Sequence, residues 1–158
     1  MILAVNEIPK AYLIVKYRYR PLLLTVDELT SLLPQSDRYC ISVNETFLDV
    51  LELADLLVSF SSTTIEEALQ NRVPVLLYGG GGRYQHIEAF EVTPEKIVEP
   101  RAVYAVRRPE HLADGLRRVL EINGKAPLPA ELFQEYVYRP EEITPFPDLV
   151  RKLVKDNS

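Results

Sequence analysis

The residues best suited to bind a ligand are four consecutive hydroxyl side chains, Ser61, Ser62, Thr63 and Thr64. This hydroxyl run follows the apolar residues 56–60, which are typical of a buried strand, and precedes a segment with helical spacing. The first amides of a helix have no partner within the helix and lie at the positive end of its macrodipole. A phosphate at this junction accepts hydrogen bonds from backbone amides and side-chain hydroxyls together, so the run indicates a phosphate site.

The same residues have a second interpretation as helix caps. Serine and threonine are preferred at the N-cap, where the side chain accepts a hydrogen bond from a helix amide. Thr63 stands three residues before Glu66, which is the spacing of a capping box, and Thr64 has the same spacing to Glu67. On the hydroxyl run alone a cap is the more frequent outcome, and one residue can serve as both.

The elements that must position this run alternate between strand and helix along the chain. Apolar, β-favouring runs predict strands over residues 12–15, 39–43, 56–60, 75–78 and 103–106. Helical spacing predicts helices over residues 26–33, 47–54, 65–71 and from Pro109 to a stop at Gly124. A short helix near residues 84–90 and an extended piece at 97–98 are expected between the last two strands. Asn44 or Thr46 is expected to cap the second helix.

This alternation predicts the fold class. Strands and helices of these lengths are typical of a mostly parallel sheet with helices on both faces. Right-handed crossovers then make it a Rossmann-like, three-layer α/β/α fold. In such a sheet ligands bind outside the carboxyl ends of the strands, which is where the hydroxyl run lies in the sequence pattern.

Length and composition indicate one domain followed by a tail. The chain has 158 residues, 47% of them hydrophobic and 26% charged, so it can bury a core. We expect a Rossmann-like domain over residues 1–124. A proline-rich segment, residues 125–158, follows, and its last helix, residues 148–155, is expected to pack on that domain. Residues 2–9 show no obvious start of a fold, so we expect the chain to be part of a longer protein.

Charge and residue counts argue against several classes of function. A net charge of −5 argues against general binding of nucleic acid or of anionic membranes. One cysteine and two histidines argue against a Cys/His metal site, and Cys40 is interpreted as a small buried residue in a strand. A single cysteine fits a reducing compartment, and no apolar run approaches the roughly 20 residues that span a bilayer. We therefore expect a cytoplasmic protein without a transmembrane segment.

A longer pattern around the hydroxyl run resembles a known family. The string ADLLVSFSSTTIEEALQNRVPVLLYGG combines Asp55, an apolar strand, the hydroxyl run, Glu67-Ala68 and the turn Val73-Pro74-Val75. This pattern is similar to the C-terminal domain of GT-B-fold glycosyltransferases, and more narrowly to surface and capsular polysaccharide biosynthesis proteins. The resemblance covers about residues 10–122. It implies a domain that binds the nucleotide sugar from which a glycosyl group is transferred.

The resemblance also implies roles for single residues. Ser62, Thr63 and Thr64 match positions whose hydroxyls and amides hold the diphosphate of the donor. Glu67 matches a glutamate that binds the ribose hydroxyls, a role that suits a carboxylate because it accepts two hydrogen bonds from a diol. A capping or solvated glutamate is the alternative, and Glu66 serves instead if the register differs by one residue.

A glycine run after the fourth predicted strand is the second candidate ligand loop. Without Cβ atoms its backbone can approach a ligand closely, Arg83 can pair with phosphate, and Gln85 or His86 can reach a sugar hydroxyl. The run has neither the Gly-Lys-Ser/Thr ending of a phosphate-binding Walker loop nor the third glycine of a dinucleotide motif. A surface loop without a ligand is the alternative. The candidate substrate-binding residues are Ser61, Ser62, Thr63, Thr64, Glu67, Gly80, Gly81 and Arg83.

The resemblance is incomplete in ways that bear on activity. Relatives often carry a Lys-x-His-Pro-like signature after the first strand, whereas this chain has Lys16-Tyr17-Arg18 and no histidine there. In GT-B enzymes the catalytic base usually comes from the other domain, so the expected partners are a nucleotide sugar and a missing acceptor domain or partner chain. The fold family is generally metal-independent, so the resemblance implies no metal or other cofactor, and we expect the chain alone to bind nucleotide weakly and without turnover.

Besides the glycosyltransferase domain, which is the first possibility, two other kinds of function remain open. A nucleotide-sugar 2-epimerase or a glycerophosphotransferase uses a similar C-terminal half. A non-catalytic subunit of a split glycosyltransferase is the third possibility, with the final helix and the Tyr/Arg-rich end of the first strand as its interface.

Overall fold

The computed structural model describes residues 1–18, 23–60, 62–79, 87–124 and 128–136. Its helices are α1 (Ile2–Asn6), α2 (Val26–Leu32), α3 (Phe47–Leu51), α4 (Thr64–Gln70) and α5 (Leu112–Asn123). Its strands are β1 (Leu13–Lys16), β2 (Tyr39–Ser42), β3 (Leu57–Ser59), β4 (Val75–Tyr78), β5 (Phe90–Glu91) and β6 (Val103–Val106). Short 3₁₀ turns cover Pro109–His111 and Ala130–Phe133.

All strand pairs in the described part of the chain are parallel. Four strands form a sheet in the order β3-β4-β6-β5, and β1 pairs with β2 in a second sheet. The order is not sequential, because β6 lies between β4 and β5. The predicted Rossmann-like α/β class is therefore confirmed, although the strands form two parallel sheets instead of the single sheet that alternation alone predicts.

Helices cover both faces of the four-stranded sheet. On one face α1 and α5 pack over Leu76 and Tyr104, and we call the residues buried there the first core. On the other face α3, α4 and the turn at Ala130–Phe133 pack over Val75 and Val103, which form the second core. Consecutive residues of a strand point to opposite faces, so one apolar run supplies both cores. The result is the predicted three-layer arrangement.

Local signals explain where the helices begin and end. Thr25 and Thr46 each accept a hydrogen bond from the amide three residues ahead, in full capping boxes that begin α2 and α3. The sequence left the choice between Asn44 and Thr46 open, and the structure shows that Thr46 is the cap. Helix α5 buries an apolar stripe and ends at Gly124, as predicted. Helix α3 ends at Leu51, three residues before its expected end.

Other expectations about the described residues are wrong. Residues 2–6 form helix α1, which the sequence analysis did not predict; Ile2, Ala4 and Val5 are buried, and Ala4 belongs to the first core. Cys40 is exposed, because β2 belongs to a two-stranded sheet and has a neighbouring strand on one side only. Residues 87–90 are not helical, although a short helix was expected near residues 84–90; instead β5 begins at Phe90 and pairs with β6. The predicted helix over residues 148–155 lies outside the described residues.

Candidate functional site

The candidate site lies where β3 and β4 end side by side. Ser59 is in register with Leu77, so the strand ends that lead to the hydroxyl run and to the glycine run are neighbours. Because the two strands are parallel, both ends reach the same edge of the sheet. We call this edge, with the first turn of α4 above it, the carboxyl edge. Ligands of open parallel sheets bind at such edges.

The first turn of α4 shows how the hydroxyl run is used. Thr63 is the N-cap, but its backbone is helical (φ −61°, ψ −16°) and its side chain makes no cap hydrogen bond. Instead the Ser62 Oγ accepts a hydrogen bond from the amide of Thr64 at 3.3 Å. The predicted capping box of Thr63 is therefore wrong. The box predicted for Thr64 is wrong as well, because Thr64 is the first residue of the helix itself.

A backbone difference explains why Thr63 behaves unlike the other threonine caps. Thr25 and Thr46 have extended backbones, with ψ of 165° and 163°, and this turns their hydroxyls toward the helix amides. Thr63 has already entered the helical region, and its side chain makes no hydrogen bond to those amides. Its side chain is exposed at the carboxyl edge. A hydroxyl in this position can donate to a bound anion.

Glu67 lies one turn further along α4. Ile65, Ala68 and Leu69 hold this helix against the second core, while Glu67 is half-buried beside them. The Glu67 backbone carbonyl accepts hydrogen bonds from the amide and from the side chain of Asn71, at 3.1 and 2.8 Å, which closes the end of the helix. The carboxylate is thus carried on a well-packed helix whose first turn is at the carboxyl edge.

Two aromatic rings complete the edge, and the sequence analysis did not single them out. Phe60 directly follows β3 and Tyr78 ends β4, with ring centroids 5.8 Å apart and planes at 46°. Phe60 is 55% exposed. The only local signal for the pair is that each ring immediately precedes a candidate ligand loop, and their contact depends on the strand register.

The end of β1 contributes differently from what the family pattern suggests. The Lys16 ammonium donates hydrogen bonds to the backbone carbonyls of Ser42 and Val43, at 3.4 and 3.0 Å. The Ser42 hydroxyl donates to the carboxylate of Glu45, and this bond lowers the pKa of Glu45 below its ordinary value. Lys16 therefore ties β1 to the segment after β2. Both hydrogen bonds of the Lys16 ammonium therefore support the fold.

A cavity of about 760 Å³ separates the two sheets. Residues of both β1 and β3 line it, and α1, α3 and α5 supply further apolar side chains. None of Ser62, Thr63, Thr64 and Glu67 lines it. This cavity is therefore distinct from the candidate site at the carboxyl edge.

Several predicted site residues lie outside the described residues, namely Ser61, Gly80, Gly81, Arg83, Gln85 and His86. Within the described ranges, the structure brings Ser62, Thr63 and Thr64 together at the carboxyl edge, with Glu67 on the same helix. Those ranges hold no group of three or more histidine, cysteine or acidic side chains able to ligate a metal ion. They also hold no helix long and apolar enough to cross a membrane.

The fold and this edge define a Rossmann-like α/β domain with a hydroxyl-rich carboxyl edge. Comparison of the chain with models of protein families, with curated proteins and with solved structures finds no match in any of the three.

Proposed function

We propose that this chain is the nucleotide-sugar-binding domain of a glycosyltransferase of polysaccharide biosynthesis. The observation that carries the proposal is that the side chain of Thr63 makes no cap hydrogen bond. Threonine caps begin α2 and α3 with full capping boxes, whereas Thr63 has a suitable acidic residue at Glu66 and yet makes no cap bond. The helix-cap interpretation of Thr63, which competes most directly with ligand binding, therefore loses its support.

The chemistry expected at the edge is binding of a diphosphate. Thr63 and Thr64 would donate hydrogen bonds from their hydroxyls, and Ser62 retains its O–H donor because its bond to Thr64 uses an oxygen lone pair. Helix α4 has seven residues, so its macrodipole is small and the side chains must supply much of the binding. The same donors would stabilise the charge that develops on the departing diphosphate.

The remaining roles in this proposal come from the family resemblance and from the glycine run. Glu67 would accept hydrogen bonds from the two ribose hydroxyls, and Arg83 would pair with phosphate. The catalytic base and the acceptor site belong to another domain or chain, so we propose binding without turnover for this chain alone. An epimerase-like or glycerophosphotransferase-like domain would use the same edge and differ in the other domain.

Isothermal titration with UDP, CDP and GDP tests the proposal. We expect one of them to bind, and Thr63→Val and Thr64→Val each to weaken it about tenfold or more, because each removes a hydrogen bond to a charged phosphate. Thr30→Val is the matched control, since Thr30 lies on α2 and its hydroxyl bonds to a carbonyl of its own helix. Absence of heat with all three nucleotides, or equal affinity in all variants, would overturn the proposal.

A further inference from the structure

The cavity of about 760 Å³ has no role in the proposed function, and its lining is mainly apolar. Helix α1 contributes Val5, α3 contributes Leu51 and α5 contributes Leu116, and each of these side chains is 6% exposed or less. Residues of β1 and β3 complete the apolar part of the lining. Cavities of about 300–1,000 Å³ with a mainly apolar lining are typical binding sites for small molecules.

The charged residues of the lining indicate which kind of small molecule fits. Five of them line the cavity in the described part of the chain. The Arg117 guanidinium forms an ion pair with the Glu121 carboxylate at 2.9 Å, and the Lys16 ammonium donates to two backbone carbonyls. The other two, Lys10 and Asp55, are exposed to solvent. A charged ligand would compete with existing bonds or with water at each of these groups, so the lining favours a neutral ligand.

Two exposed side chains of the lining point to the same conclusion. Leu53 and Tyr12 line the cavity, and they are 75% and 56% exposed. Apolar surface that stays in contact with water forgoes the free energy that its burial would contribute. An apolar ligand in the cavity would cover the parts of both side chains that line it.

We propose that this cavity binds a neutral, apolar small molecule. Apolar cavities take up apolar molecules because such molecules leave water and gain contacts with the cavity wall. The site is separate from the proposed nucleotide site, because none of Ser62, Thr63, Thr64 and Glu67 lines the cavity. The proposal therefore does not depend on nucleotide binding.

Fluorescence titration with N-phenyl-1-naphthylamine tests the proposal, because this neutral aromatic compound emits strongly only in apolar surroundings. We expect saturable binding of one molecule per chain, and no displacement by UDP, CDP or GDP. The 8-sulfonate of the same compound is the matched charged ligand, since it has the same rings and one negative charge. We expect it to bind about tenfold more weakly or less.

Two substitutions on α3 locate the binding site. Val50 lines the cavity and is half-buried, whereas Leu48 is 49% exposed and does not line it. We expect Val50→Phe to weaken the neutral compound about tenfold or more, because the larger side chain fills part of the cavity. Leu48→Phe is the matched control and should retain the wild-type affinity. Circular dichroism checks that both variants are folded.

Amide NMR spectra of the wild-type chain give a readout that needs no variant. The rings of the bound compound should shift the resonances of Ile14 and Val58, which line the cavity. Val103 and Val106 on β6 do not line it, and their resonances should shift much less. This comparison tests the location even if Val50→Phe does not fold.

Several results would contradict the proposal. Absence of saturable binding by the wild-type chain would show that the cavity takes up no apolar ligand. Equal affinity in folded Val50→Phe, or resonance shifts confined to residues outside the cavity, would show that the compound binds elsewhere. Equal or tighter binding of the sulfonate would show that the site does not select a neutral ligand. None of these results bears on nucleotide binding at the carboxyl edge.

Discussion

At the scale of single residues, backbone conformation decides what a hydroxyl group does. Thr25, Thr46 and Thr63 each precede a helix and each have an acidic residue three positions later. The first two have extended backbones and bond to the helix, whereas the third has a helical backbone and does not. A difference in ψ of nearly 180° therefore separates a structural hydroxyl from one that faces solvent at a sheet edge.

The two complete capping boxes predict a pH effect. Hydrogen bonds from the side chain and the amide of Thr46 hold the pKa of Asp49 below its ordinary value. For Glu28 the amide of Thr25 is the larger cause and its hydroxyl the smaller, and the pKa is again lowered. Since both pKa values are lower in the folded state, these carboxylates stabilise it above their unfolded pKa. That stability is lost as the pH falls through the folded pKa.

Carbon-detected NMR titration of the carboxyl groups checks this. We expect Asp49 to titrate below the roughly 3.9 of a free aspartate, and Thr46→Val to return its pKa toward that value while Glu28 is unchanged. Thr25→Val is the reciprocal control and should move Glu28 alone. An Asp49 pKa that is insensitive to Thr46→Val would contradict the capping box.

At the scale of elements, one glycine sets how closely α5 approaches the sheet. Gly115 lies in the interior of α5, where glycine costs about 1 kcal/mol relative to alanine. A Cβ atom there would lie 2.7 Å from the Cγ2 atom of Val106, which is 1% exposed and cannot move aside easily. The glycine therefore permits close packing of α5 on β6.

We expect Gly115→Ala to lower the free energy of unfolding by up to about 2 kcal/mol. Overpacking costs about 1–3 kcal/mol, and alanine recovers about 1 kcal/mol of helix propensity. Urea denaturation measures the change. In a Val106→Ala background, which removes the clashing methyl, the same substitution should cost little. Equal losses in the two backgrounds would show that the contact is not the cause.

At the scale of the whole molecule, β1 of one sheet and β3 of the other line the same cavity. The amides of Leu13 and Tyr17 donate to carbonyls at β2, and the amide of Leu57 donates to Pro74. Successive amides of a strand point in opposite directions, so those of Ile14 and Val58 point toward the cavity. In the described residues β1 pairs only with β2, and β3 only with β4.

Hydrogen exchange tests this arrangement directly. We expect the amides of Ile14 and Val58 to exchange at least about tenfold faster than those of Leu13 and Leu57, which belong to the same strands but have partners. The paired amides are internal controls for the stability of each strand. Equal, slow exchange at all four positions would mean that β1 and β3 pair with each other and that the six strands form one sheet.

The sequence by itself determined the α/β alternation, the parallel pairing and the bounds of its strongest elements. The strands at residues 75–78 and 103–106 agree with prediction to the residue, because each is an apolar run bounded by polar or turn-forming residues. The stripe of α5 and the stop at Gly124 were likewise predictable, since each depends only on neighbours within a turn or two.

The tertiary structure alone decided three other features: that Cys40 is exposed, that Thr63 does not cap α4, and that Phe60 meets Tyr78. An edge strand is exposed because of which strand lies beside it, and a ring contact between β3 and β4 depends on their register. The exposure of Cys40 and the ring contact depend on strands that are distant in the chain, whereas the missing cap bond reflects the backbone conformation of Thr63. Local periodicity carries no information about such pairings, so only the folded arrangement of the strands could supply them.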